Sequence, residues 1–280
     1  MQLGIRLHDT IDGTLEQRLA YVKNQGFACA HIALKKLDKN LPDERTALTP
    51  GYSAYLRKTF WANQMDIAVL GCYLNVATPN LEKYEEFKAR YFANIALASQ
   101  MNCGVVGTET GAPNEAYSFE PACRSEETFE LFLKRLTPIL EYAEKMGVIF
   151  AIEPVTKHII YDAKTARKAL DRLHAPNLRI IFDPVNLLDE GNCGNKEDVI
   201  AEAIELLHNE VAVLHLKDYV LEDGKMKAVA CGNGEMKYDE ILKFVKKEKP
   251  YMHATLENTN PENAETARKF IQGIYDGIVL

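Results

Sequence analysis

Short apolar runs alternate with longer amphipathic stretches along the whole chain. Eight runs have the continuously apolar, β-rich character of buried strands: Leu3–Leu7, Cys29–Leu34, Asp66–Leu74, Gly104–Thr108, Val148–Pro154, Leu178–Phe182, Val211–Leu216 and His253–Leu256. Eight segments between and after them have helical spacing: Thr14–Gln25, Pro50–Gln64, Leu81–Met101, Ser125–Lys145, Ala163–Leu173, Lys196–Leu207, Tyr238–Lys247 and Pro261–Tyr275. Leu15, Leu19 and Val22 recur at that spacing, and so do Ile200, Ile204 and Leu207. Local chemistry marks several boundaries. Thr14 and Gln17 stand at capping-box spacing, whereas Asn80, with Lys83 three residues on, reads as a simple N-cap. Gly26 and Gly147 follow helices where a left-handed residue is needed.

Apolar strands separated by helices belong to parallel sheets. Eight consecutive β-then-α units predict an α/β fold, a closed (β/α)8 TIM barrel with residues 1–280 as a single domain. The rival is an open doubly wound sheet, which usually carries a glycine-rich phosphate loop after its first strand. The turn Leu7-His8-Asp9-Thr10-Ile11-Asp12-Gly13 has no such pattern. The segment Thr110–Pro121 is long for a βα loop and is expected to overlie the barrel mouth.

Composition narrows the function classes. Of the 280 residues, 47% are hydrophobic and 26% charged, which is ample for a core and excludes a disordered chain. With 33 basic against 40 acidic side chains the net charge is −7, so nucleic acid is not an expected partner. No apolar run approaches the roughly 18 residues of a membrane span, and no membrane association is expected. The opening MQLGIRLHDT lacks a cationic start followed by an apolar stretch, so a cytoplasmic protein without a signal peptide is expected. The six cysteines form no C-x-x-C pair and read as reduced, buried thiols.

Barrel chemistry sits where strands end. Four consecutive strands end in Glu153, Asp183, His215 and Glu257, spaced 30, 32 and 42 residues apart. The last interval is lengthened by the Tyr219–Gly234 connection. Each follows an apolar strand directly, so each is expected to be partly buried and to need a partner. Three carboxylates crowded together repel unless a cation lies among them. Three carboxylates and one imidazole suit one divalent metal ion, Mn²⁺, Mg²⁺ or Co²⁺, with Zn²⁺ also compatible. Arg6 and His8 end the first strand on one face and are candidates for a substrate oxygen or phosphate, against ordinary salt bridging. Glu109 ends the fourth strand and is a further substrate candidate. Lys217 shares the face of His215. His158 reads as a solvent-exposed loop residue, Trp61 as packing, and His31, His174, His208 and His253 as residues without partners.

At this point the sequence resembles the xylose-isomerase-like barrel superfamily of sugar-phosphate isomerases and epimerases, in the branch holding ketose 3-epimerases, inosose dehydratase and hydroxypyruvate isomerase. The family's H-x-K-D pattern appears as His215-Leu216-Lys217-Asp218, and its G-x-G-E turn as Gly232-Asn233-Gly234-Glu235. The resemblance implies that Glu153, Asp183, His215 and Glu257 hold the metal. It also implies that Glu153 and Glu257 act on a small-molecule sugar or sugar-phosphate through an enediolate, while a homo-oligomer is left open. One departure stands out. Many family epimerases carry D-x-x-H after strand six, whereas here Asn186 closes Asp183-Pro184-Val185-Asn186; it can hydrogen-bond substrate but cannot shuttle protons. Isomerisation, epimerisation and dehydration of the inosose or dehydroshikimate type share the same opening step. Endonuclease IV shares the barrel but needs three metals and more histidines than this chain's seven supply. A non-catalytic sugar binder is opposed by the four intact candidate ligands.

Overall fold

The computed structural model describes all residues, 1–280. Ten strands form: β1 Gln2–Arg6, β2 Cys29–Ile32, β3 Asp66–Gly71, β4 Val105–Glu109, β5 Ile149–Glu153, β6 Leu178–Phe182, β7 Val211–Leu216, β8 Asp218–Glu222, β9 Lys225–Val229 and β10 His253–Leu256. Eight close into a parallel barrel in the order β1-β10-β7-β6-β5-β4-β3-β2. The expected barrel is therefore present, with each expected strand in it. The helices are α1 Leu15–Asn24, α2 Leu34–Leu37, α3 Glu44–Ala47, α4 Pro50–Ala62, α5 Leu81–Gln100, α6 Glu126–Lys145, α7 Ala163–Leu173, α8 Lys196–Leu207, α9 Asp239–Glu248 and α10 Ala264–Gly277. None is long and apolar enough to cross a membrane.

The caps follow the sequence. Thr14 and Gln17 form the full capping box of α1, and the Asn80 side chain accepts from the Lys83 amide at the start of α5. Gly26 and Gly147 adopt φ of +86° and +68° after α1 and α6. All six cysteines are free and buried.

Two cores result from the strand alternation. Outward strand residues such as Phe150, Ile152 and Ile180 join the helices in one large cluster. Inward residues Val69, Ala151, Ile181 and Val213 form a small separate cluster inside the barrel. Two residues beyond the last three, on the same inward face, come Glu153, Asp183 and His215. The site thus rests on a fully buried apolar floor.

Two features were not expected from the periodicity. Helices α2 and α3 occupy the link between β2 and α4. The Tyr219–Gly234 connection folds into an antiparallel hairpin, β8–β9, lying apart from the barrel sheet.

Candidate functional site

The mouth of the barrel holds a cavity of about 540 Å³. Its lining includes Arg6, Glu109, Glu153, Asn186, Lys217 and Glu257, all expected from the sequence. Thr110–Pro121 does reach the mouth, where Tyr117 lines the cavity. The loop is pinned from below by Asn75, whose Nδ2 donates to the carbonyls of Ala112 and Asn114 at 2.9 and 2.8 Å.

His215 is the centre of the arrangement. Its Nδ1 lies 3.3 Å from Glu153 Oε1 and 3.3 Å from Glu257 Oε1, and its Nε2 is buried without a partner. Glu153 Oε1 also accepts from Asn186 Nδ2 at 2.7 Å. Asp183 Oδ1 accepts from the amides of Val185 and Asn186, while Oδ2 faces Lys217 Nζ at 2.6 Å. Lys217 lies 3.4 Å from Glu257 Oε2, and Arg6 Nη1 lies 3.2 Å from the same oxygen. Asn258, in the left-handed region at φ +55°, turns the chain immediately after Glu257.

Burial and crowding set the charges. Burial lifts the Asp183 carboxyl to about 6, against the pull of Lys217. Burial opposes charge on His215, yet Glu153 and Glu257 outweigh it and raise the imidazole to about 9. Glu257 is also pushed up by burial, but His215, Lys217 and Arg6 dominate and hold it well below the usual carboxylate range. Burial raises Glu109, partly offset by Lys217.

The donors fit a divalent cation. Glu153, Asp183 and His215 each bring one ligand atom within a common 4.8 Å, and Glu257 forms a second such group with His215 and His31. Lys217 stands between Asp183 and Glu257, and Glu257 shares a group with neither Asp183 nor Glu153. Oxygen-rich donors with one imidazole suit hard or borderline ions.

Several sequence expectations need correction. His31 is fully buried, stacked on His215 with ring centroids 5.1 Å apart. His158 is buried rather than exposed: Arg124 Nη1 donates to its carbonyl at 2.9 Å, and its ring packs beside Tyr117 and Glu109; burial lowers its imidazole to about 4. His8 does not line the cavity. The strand ends at Arg6 and the 3₁₀ turn Leu7–Asp9 breaks the alternation that would have paired them. His208 and His253 have acidic partners, Glu248 and Asp66, away from the mouth. Trp61 is 83% exposed and packs little. Sequence reading also missed Tyr73, Tyr117, Lys36, Met226 and Ala228, which line the cavity. For Met226 and Ala228 a signal existed: Asp223-Gly224 lies between two short runs, and both residues take positive φ, as a two-residue hairpin turn demands.

The H-x-K-D and G-x-G-E motifs meet in space. Asp218 Oδ1 accepts from the amides of Tyr219 and Met236 at 2.8 and 2.9 Å, and Oδ2 from Gly232 at 3.1 Å. A Cβ on Gly234 would fall 2.1 Å from the Tyr219 carbonyl oxygen, so only glycine fits this turn. Asp218 is therefore a tie between the hairpin and the turn before α9, not a group aimed into the cavity.

Fold and site together define a (β/α)8 barrel with a buried acid- and imidazole-lined mouth. The chain belongs to the xylose isomerase-like TIM barrel family, whose model matches residues 19–274. A comparison with curated proteins returns no match. Among solved structures, it resembles D-psicose 3-epimerase with D-tagatose from Clostridium cellulolyticum H10, with a TM-score of 0.74, 14% identity and coverage of 98% of this chain and 99% of that one. It also resembles the 3-keto-D-glucoside 4-epimerase YcjR of E. coli, with a TM-score of 0.75, 11% identity and coverage of 98% and 99%. A third is the IolI protein with a bound zinc atom, with a TM-score of 0.73, 17% identity and coverage of 99% and 98%. At these identities the likeness establishes the fold.

Proposed function

We propose that the protein is a divalent-metal-dependent sugar or sugar-phosphate isomerase or epimerase. The carrying observation is that Glu153 and Glu257 reach the same His215 nitrogen from β5 and β10, with β6 and β7 between those strands. Two structural neighbours bear the names of sugar epimerases, and the structure of a third holds zinc, which supports the reading.

Glu153, Asp183, His215 and Glu257 would hold the cation. When bound, it supplies positive charge to the substrate's carbonyl oxygen, which becomes negative as the adjacent C–H is deprotonated. One glutamate removes that proton and the other, from the opposite side, returns one. Return to the other face of the same carbon inverts it. Return by the same carboxylate to the neighbouring carbon exchanges aldose and ketose. Asn186 holds Glu153 by its amide, and Arg6 and Lys217 hold the anionic form of Glu257. Lys217, Arg6, Asn186 and Glu109 line the cavity with donors and an acceptor suited to sugar hydroxyls. The floor of Val69, Ala151, Ile181 and Val213 keeps water from beneath.

The test is a panel of ketoses, inososes and their phosphates, with Mn²⁺ added, in D₂O. The expected result is deuterium at the carbon next to the carbonyl, dependent on metal. A folded protein that neither exchanges nor turns over any of the panel would overturn the reading in favour of a binder.

A further inference from the structure

His31, on the inward face of β2, is wholly enclosed, and its ring lies within 18° of parallel to that of His215. Room for it is made on the next strand, since a Cβ on Gly71 would fall 2.5 Å from His31 Nε2. Nε2 lies 3.0 Å from the Tyr73 hydroxyl. Nδ1 has no hydrogen-bond partner and stands 4.0 Å from Glu257 Oε1. An unpartnered buried polar atom costs about 1–3 kcal/mol, and an apolar ring of the same shape would avoid that cost. The imidazole therefore does something that packing does not require.

The tautomer follows from its neighbours. A neutral imidazole has one N–H and one bare nitrogen. A bare Nδ1 would set its lone pair against the Glu257 carboxylate. With the proton on Nδ1, the N–H dipole points at the carboxylate and Nε2 accepts from the Tyr73 hydroxyl. Stacking on His215 fixes the ring plane, so the direction is fixed as well. We infer that His31, in the Nδ1-protonated tautomer that the Glu257 carboxylate favours and the Tyr73 hydroxyl accommodates, is a positioning residue that aims Glu257 Oε1 toward the site. The inference rests on the metal-dependent reading above.

The experiment measures Mn²⁺ affinity by competition with a fluorescent chelator, which needs no substrate. The variants are His31→Phe, His31→Asn, Tyr73→Phe and the double His31→Phe/Tyr73→Phe. His31→Phe keeps an aromatic ring but loses both nitrogens; affinity should fall about 10-fold or more, as for other residues that orient ligands from behind. His31→Asn restores a donor near Nδ1 and should recover part of the loss. Tyr73→Phe should cost less than His31→Phe, and the double variant no more than His31→Phe alone, because Tyr73 acts through His31. On any substrate turned over, kcat should fall while KM moves little. Wild-type affinity in His31→Phe, or a full additional loss in the double variant, would overturn the inference. Absence of Mn²⁺ uptake by folded wild-type protein would overturn the metal-dependent reading together with it. Should His31→Phe fail to fold, the Asn variant and Tyr73→Phe decide alone: Asn should bind metal better than a His31→Leu control, and equal loss in Asn and Leu overturns the inference.

Discussion

Glu153 and Glu257 are alike in the sequence, yet their surroundings differ. Glu257 faces two cationic side chains, Arg6 and Lys217, in addition to His215, while Glu153 is held by the neutral amide of Asn186. Replacing either by Gln keeps size and an oxygen donor but removes the basic carboxylate. General-base catalysis contributes about 10²–10⁴-fold, so kcat should fall by that order in steady-state assays while KM changes little. Undiminished turnover in both variants would leave them as ligands only. The position of Asn186 adds a second expectation. Its Nδ2 bond to Glu153 is short, so Asn186→Ala should lower kcat by roughly 10–100-fold with metal content retained, measured by metal analysis beside kinetics. Metal loss in that variant would instead make Asn186 part of the cation's cradle.

At the scale of elements, the barrel strands and flanking helices were legible because both periodicities were strong and each element is buried on at least one side. The hairpin β8–β9 was legible at its Asp223-Gly224 turn and not in its strands. Its strands are five residues each, largely exposed along β9, and carry Lys and Glu where buried strands carry Val and Ile. Beyond the packing of Tyr219 and Met226, it is held by Asp218 and by the Met226 amide donating to Glu190 at 3.0 Å. A partner so distant in sequence leaves no local trace. His31 was hidden for a related reason. It sits at an inward position of the short run Cys29–Ile32, where strand alternation shows the face but not which residues of β3, β7 and β10 converge there. The strand-end acids and His215 were legible because their position follows from the topology. Asp218→Ala should strip the acceptor from three backbone N–H groups, two at Oδ1 and one at Oδ2. A buried unsatisfied donor costs about 1–3 kcal/mol, so chemical denaturation should show a loss of at least that size. Asp218→Asn, which keeps one acceptor oxygen, should lose less. Equal stability of wild type and Asp218→Ala would show that the turn before α9 stands without this tie.

At the scale of the molecule, the site is expensive. Asp183, His215, Lys217, Glu153 and Glu257 are all buried, and removing ions from water costs several kcal/mol each unless partners compensate. Asp183, Glu153 and Glu257 bring three carboxylates to a cluster in which Lys217 and Arg6 are the permanent cations, with His215 charged only when protonated. A divalent ion would take the place of the His215 proton among these carboxylates in the folded state and not in the unfolded chain, so binding should stabilise the whole barrel. At a free metal concentration 100 times Kd the linkage amounts to about 2.7 kcal/mol. For a domain of this length that corresponds to roughly 5 °C in the thermal midpoint. Mn²⁺ added to chelator-treated protein should raise the midpoint by that order in calorimetry, and the shift should grow with the logarithm of metal concentration. Asp183→Ala keeps the apolar floor beneath the site and leaves Lys217 with Glu257 as a partner, so the variant should remain folded. Its thermal shift with Mn²⁺ should nevertheless vanish at the same concentrations. A shift of wild-type size in Asp183→Ala would place the cation elsewhere in the protein and withdraw the ligand assignment, whatever the activity assays show.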